Sequence, residues 1–258
     1  MCSRNVDLPC LGIGYRSYAA VVRSYSGRFI AAFADEACMM WRRIGDTADS
    51  DYEFHELSYA GFFDTVIQDR TCAAKFFGSS EELLVVVSQN GTILWWDLSS
   101  FPISKLEPCG LLSLRPFFNS CLVINVVVSP LSSYLVVECY ENMYNKTSSH
   151  IAILRSTNRM PGAPGVLGHG FSLQVVLHGH TFGVHAMHVS PCERYIALAC
   201  NDGTIPLWDI RDGSIAWTFR DHDAPVTHLE FSPDMVSLIS GDSHGKICIR
   251  HLSMYIRP

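Results

Sequence analysis

The chain has 258 residues, of which 48% are hydrophobic and 17% charged, with a formal net charge of −6. A chain of this size buries roughly three-quarters of its unfolded surface, so it needs no staples, and this composition excludes a disordered polymer. No basic run is denser than Arg42-Arg43, which excludes a duplex-binding surface as the main activity, since such surfaces carry a basic stripe.

Along the chain, strand signals dominate. Arg4, Asp7, Arg16 and Arg23 interrupt the apolar stretches near the start, so neither a signal peptide nor a membrane span is expected there. Phe29-Ile30-Ala31-Ala32-Phe33, Leu83 to Val87, Leu122 to Val128, Tyr134 to Val137 and Tyr195 to Ala199 are short, rich in β-branched or aromatic residues, and bounded by turn residues. No segment of ten or more residues combines helical periodicity with caps at both ends. The pattern predicts an all-β sandwich, barrel or propeller. The ten cysteines include no C-x-x-C pair and read as small packing groups with free thiols in a reducing compartment.

Self-similarity decides among the all-β folds. Gln89-Asn90-Gly91-Thr92-Ile93-Leu94-Trp95-Trp96-Asp97 is repeated as Asn201-Asp202-Gly203-Thr204-Ile205-Pro206-Leu207-Trp208-Asp209. Gly179-His180 and Val189-Ser190-Pro191 stand ahead of the second copy. Phe231-Ser232-Pro233 leads to Ser243-His244-Gly245-Lys246-Ile247, Tyr25 to Ala31 leads to Asp35 and Trp41, and Val128-Ser129-Pro130 leads to Ile151 to Leu154. Five copies result, with equivalent anchors at Trp41, Trp96, Leu154, Trp208 and Arg250, spaced 55, 58, 54 and 42 apart.

These copies resemble the WD-repeat family of β-propellers, over roughly residues 12–258. The resemblance implies about five four-stranded blades in a single domain, with repeats at 15–44, 68–98, 120–155, 174–211 and 214–252. Insertions are expected at 45–67, 141–150 and 156–170, the first of them an acidic loop. Five copies use up the chain, so an incomplete ring is expected. The resemblance also implies a polar network joining His180, Asp202 and Trp208. Asp35 stands six before Trp41 as Asp202 does before Trp208, and Trp96-Asp97 supplies the Trp-Asp of the second repeat. The corresponding places in repeats two and five hold Asn90 and His244, so the network is expected to be degenerate.

Chemistry is sparse. His178, His180, His185 and His188 are close in sequence, but His180 is assigned to the repeat motif, and His185 and His188 lie three apart on a predicted strand, so no metal site is expected. Nucleophile-elbow, phosphate-loop and dinucleotide motifs are missing, so neither a cofactor nor catalysis is expected. The expected activity is binding through rim loops held on a rigid frame, with Phe182, Asn201, Ala224, Ser243 and Arg211 as candidate contact positions.

A finer resemblance is to the TBP-associated factor 5 family of TFIID and SAGA-type complexes. It rests on Leu8-Pro9, Phe33-Ala34-Asp35-Glu36 to Trp41, Trp95-Trp96-Asp97-Leu98-Ser99-Ser100-Phe101 and Val128-Ser129-Pro130-Leu131-Ser132-Ser133-Tyr134, followed by His178-Gly179-His180 to Asp209 and Phe231-Ser232-Pro233. It implies a nuclear scaffold with TBP-associated factors or histone-fold subunits as partners, and no direct nucleic-acid or membrane contact. Repeat three lacks Gly-His and its Trp, repeat five has Arg250-His251 where Trp-Asp is expected, and a sixth repeat is absent. The alternatives are a substrate receptor of a cullin ubiquitin ligase, because Trp208-Asp209-Ile210-Arg211 resembles the docking motif of such receptors, and a generic WD-repeat adaptor, with the cytoplasm as the alternative location.

Overall fold

The computed structural model describes residues 20–33, 37–45, 52–58, 71–78, 81, 83–98, 108–118, 121–143, 146–158, 169–178 and 183–255. These residues form five antiparallel sheets in chain order. The first holds β1 (Ala20–Arg23), β2 (Phe29–Phe33), β3 (Ala37–Arg43) and β4 (Tyr52–Ser58). The second holds β5 (Thr71–Phe77), β6 (Leu83–Ser88), β7 (Thr92–Asp97) and β8 (Gly110–Ser113). The third holds β9 (Leu122–Val128), β10 (Tyr134–Met143), β11 (Lys146–Asn158) and β12 (His169–Leu177). The fourth holds β13 (Val184–Val189), β14 (Tyr195–Cys200), β15 (Ile205–Asp209) and β16 (Ile215–Phe219). The fifth holds β17 (Val226–Phe231), β18 (Ser237–Asp242) and β19 (Ile247–His251).

One turn recurs between the first and second strands. The hydroxyls of Ser24, Ser129, Ser190 and Ser232 accept the N–H five residues on, from Phe29, Tyr134, Tyr195 and Ser237, at 2.8–3.0 Å. The residue three after each serine is left-handed: Gly27 at φ 70, Ser132 at 57, Glu193 at 54 and Met235 at 61. In the second sheet Glu81, at φ 55, takes the same place. A serine hydroxyl can stand in for a backbone acceptor, which is why the Ser-Pro pairs mark turns.

Packing explains the long apolar strands. In β6, Leu84 and Val86 join the cluster shared with the first sheet, while Leu83, Val85 and Val87 join that shared with the third. In β14, Ile196 and Leu198 face the third sheet, and Ala197 and Ala199 the fifth. A strand buried on both faces loses the usual in-out alternation. Each fully buried aliphatic side chain contributes roughly 1.5–3 kcal/mol, so these clusters hold the sheets together. Cys72, Cys109, Cys121, Cys139, Cys192, Cys200 and Cys248 are free thiols, and Cys121, Cys139 and Cys200 are buried.

The innermost strands are neighbours in the order β1, β5, β9, β13, β17, with no substantial contact between β17 and β1 among the described residues. The architecture is therefore that of propeller blades in an incomplete ring, as expected from the sequence. The fifth blade has three strands among the described residues. On its outer face Ile239, Ile247 and Ile249 are 39%, 72% and 67% exposed. No helix among the described residues is long and apolar enough to cross a membrane.

The insertions differ from expectation. The stretch 45–67 contains β4, which pairs with β3 along its whole length. The segments at 141–150 and 156–170 include the arms of the β10–β11 hairpin and the start of β12. Their charged and small residues hid strands that satisfy their backbone by pairing.

Candidate interaction surface

The five anchors occupy one equivalent place, on the third strand of each blade opposite the second residue of the second strand: Trp41 with Ile30, Trp96 with Leu84, Leu154 with Leu135, Trp208 with Ile196 and Arg250 with Leu238. All five are buried. Trp96, Leu154 and Trp208 each pack into the cluster shared with the preceding blade. Trp41 packs within its own blade, against Phe54 at 5.6 Å between ring centroids. Asp97 ends β7 and is half-buried.

The expected network of His180, Asp202 and Trp208 rests partly on His180, so only its other two members are described. Asp202 is exposed, and its carboxylate closes a local turn, accepting from Thr204 N at 3.0 Å and Thr204 Oγ1 at 2.6 Å. The indole Nε1 of Trp208 is buried with no hydrogen-bond partner among the described residues. A short Asp side chain is satisfied more readily by its own turn than by a distant ring. His180, Asp35 and Phe182 lie outside the described residues.

The fifth blade, expected to be degenerate, carries an extended buried network instead, with Arg250 Nη2 left without a partner among the described residues. His222 Nδ1 is 2.8 Å from Asp242 Oδ2, and its Nε2 is 2.7 Å from Ser240 Oγ. Arg250 Nη1 donates to Ser240 Oγ at 2.7 Å, and Arg250 Nε donates to Asp221 Oδ2 at 2.5 Å. The Arg250 guanidinium lies 5.1 Å from the Phe219 ring centroid. Asp242 Oδ1 accepts from His244 N and Lys246 N at 3.0 Å each. Burial disfavours the charged Asp242, but the His222 bond and the two backbone N–H groups outweigh it and hold the carboxyl below its ordinary range. His222 thus bridges the carboxylate and the serine hydroxyl, whose oxygen also accepts from the arginine.

The Ser–His–Asp connectivity imitates that of a hydrolase. Its surroundings do not: Ser240 is 1% exposed, and Arg250 occupies its oxygen. The serine therefore braces the blade. Glu138 is likewise sealed, wholly buried between the third and fourth blades. Ser149 Oγ donates to its Oε1 at 3.3 Å, Oε2 is unpartnered among the described residues, and burial pushes the carboxyl up to about 7.

The histidines separate. His178 Nδ1 is 3.0 Å from His150 Nδ1, His185 pairs with Asn201 Oδ1 at 3.2 Å, and His188 packs on Phe231 with its pKa lowered by burial. Of the candidate contact positions, Asn201 and Ser243 are exposed on the rim that carries the loops between second and third strands. Ala224 is on that rim but only 4% exposed, because it is packed beneath the Gly203 turn. It is therefore no contact position. Arg211 is exposed on the opposite rim, beside the Arg194–Asp209 ion pair.

That opposite rim holds a feature the sequence reading missed. The turns of the first three blades surround a cleft of about 950 Å³, into which Arg23, Arg28 and Lys75 converge. Residues 50 apart in sequence give no local signal of this meeting.

Residues 171–209 and 213–250 match the family described as WD domain, G-beta repeat. A zebrafish (Danio rerio) protein, WD repeat, SAM and U-box domain-containing protein 1, is 36% identical over 74 residues, covering 28% of this chain and 15% of its own length. The Set1 complex component swd1 of Schizosaccharomyces pombe is 43% identical over 67 residues, 26% of this chain and 17% of that protein. The chain thus spans under a fifth of either relative. The β-propeller domain of Cps50 (Swd1) from Myceliophteria thermophila superposes with a TM-score of 0.61 at 13% identity, over 86% of this chain and 67% of that one, and shares the fold. The repeats and the propeller neighbour together support a WD-repeat family.

Proposed function

We propose that this chain is a non-catalytic scaffold whose blades hold other subunits of a nuclear transcription complex of the TFIID or SAGA kind. WD-repeat propellers typically act as interaction scaffolds and are generally not enzymes. The observation carrying the reading here is the frame itself: blades locked by shared apolar clusters, with loops on both rims and the Ser240–His222–Asp242 group buried inside the blade. The order of the Phe-Ala-Asp, Trp-Trp-Asp-Leu-Ser-Ser-Phe and Ser-Pro-Leu-Ser-Ser-Tyr segments supports the finer assignment, with TBP-associated factors or histone-fold subunits as partners. A relative in the Set1 complex is consistent with a subunit role. With a net charge of −6, protein contacts rather than DNA hold the chain at its site of action.

Affinity capture of the tagged chain from nuclear extract, read by mass spectrometry, tests this. Recovery of histone-fold TBP-associated factors is the expected result. One observation favours a second reading: Arg211, of the Trp208-Asp209-Ile210-Arg211 segment, is exposed. Recovery of a cullin adaptor instead, lost on Arg211→Ala, would replace the transcription reading with that of a ubiquitin-ligase receptor.

A further inference from the structure

We infer that the cleft among the first three blades is a docking site for an acidic peptide segment of a partner protein, with an apolar side chain beside its carboxylates. This inference rests on the scaffold reading and names the chemistry of one partner.

The cleft has about 950 Å³, a size that takes a short extended segment. Among the described residues three cations line it, Arg23, Arg28 and Lys75, against one carboxylate, Glu81. Glu81 is already engaged: it accepts from Ser26 N at 3.1 Å and from the Ser26 hydroxyl, tying the second blade's turn to the first. Among the described residues none of the three cations has an ion-pair partner. On a chain with a net charge of −6, three cations gathered in one concavity are a local inversion of sign, and a concavity focuses such a field.

The walls are fixed in advance. Phe29 and Phe76 stack at 5.9 Å, and the Arg28 guanidinium lies 5.3 Å from the Phe29 centroid. The Arg23 guanidinium lies so close over Gly27, at φ 70, that a Cβ there would clash with it. The third blade's turn is pinned from the fourth, where Glu193 Oε1 accepts from Leu131 N at 2.7 Å. Between the cations the lining is apolar, with Phe76, Val127 and an exposed Leu131. A preorganised wall lowers the ordering cost of binding.

The donor set selects the ligand class. A compact phosphate is held by clustered backbone N–H groups. Here Ser26 N, Gly27 N, Arg28 N and Leu131 N are all spent within the protein. What remains are long, separate cations over apolar floor, which suits carboxylates spaced along a chain. The cleft also lacks the extended basic track that a duplex requires.

The test uses a fluorescein-labelled dodecapeptide of Asp and Glu flanking a Leu-Leu pair, titrated with the full chain and read by anisotropy. Saturable binding that weakens with salt is expected, and Arg28→Gln with Lys75→Gln should weaken it about tenfold. That pair leaves Arg23 and its packing on Gly27 in place, and circular dichroism checks the fold. Arg220→Gln, exposed and outside the cleft, should leave binding unchanged. Equal affinity in the double variant, equal binding of a Lys-rich control peptide, or displacement by inorganic phosphate or duplex DNA at matched ionic strength would overturn the inference. Peptide binding retained alongside capture that yields no transcription subunits would overturn the functional assignment and leave the cleft standing.

Discussion

Trp208 illustrates how much one side chain carries. It is 4% exposed at the junction of the third and fourth blades. Trp208→Ala should cost about 3–5 kcal/mol, read from chemical denaturation. Ser240→Ala should cost roughly 1–3 kcal/mol, because it orphans both His222 Nε2 and Arg250 Nη1. Glu138 works in the other direction. Burial raises its carboxyl from 4.5 to about 7, so the folded state holds a proton that the unfolded chain has released. Stability should therefore fall as pH rises from about 4.5 to 7, and the penalty is complete above that window, on the order of 3 kcal/mol. Glu138→Gln should flatten this slope and stabilise the protein at pH 8 but not at pH 4, as denaturation at the two pH values would show. At this scale the sequence was an uneven guide. The anchors were readable because repetition exposes them. His222 was not, because it sits in Asp221-His222-Asp223 rather than after glycine, and its partner Asp242 precedes the anchor by eight residues rather than six. Asp202 had the right spacing and was claimed by its own turn.

Among the elements, second and third strands were plain in the sequence and fourth strands were not. β6 and β14 are buried throughout, so hydrophobicity alone marks them. β4 reads Tyr52-Glu-Phe-His-Glu-Leu-Ser, and an outer strand with a solvent face resembles an acidic loop until its partner is known. The fifth blade shows the cost of an outer face left open. β19 turns Ile247 and Ile249 outward with no fourth strand beside it among the described residues. Such edges and apolar faces invite association. Ile247→Lys with Ile249→Lys should leave thermal stability within about 0.5 kcal/mol while reducing self-association, measured by sedimentation velocity. Increased aggregation in that variant would show that the two isoleucines are already covered.

For the whole molecule, each described cluster between blades joins only neighbours in the chain. Stability should then behave as a sum of blade and interface contributions. Hydrogen exchange should be slowest in β6, β10 and β14 and fastest in the two end blades. Uniform protection across all five blades would show that the ring is closed in solution. The direction in which the anchors point has a further consequence. Trp96, Leu154 and Trp208 each reach back onto the blade before, whereas Trp41 packs within its own blade against Phe54. The first blade's own core, Phe29, Phe33, Met40 and Leu57, is closed only when the second blade arrives with Leu84, Val86 and Trp96. On a ribosome delivering roughly 5–20 residues per second, a repeat of 42–58 residues takes seconds to emerge, against the microseconds in which a hairpin closes. Trp96, Leu154 and Trp208 therefore each emerge after the blade they pack onto, so these three junctions can close in the order in which they are translated.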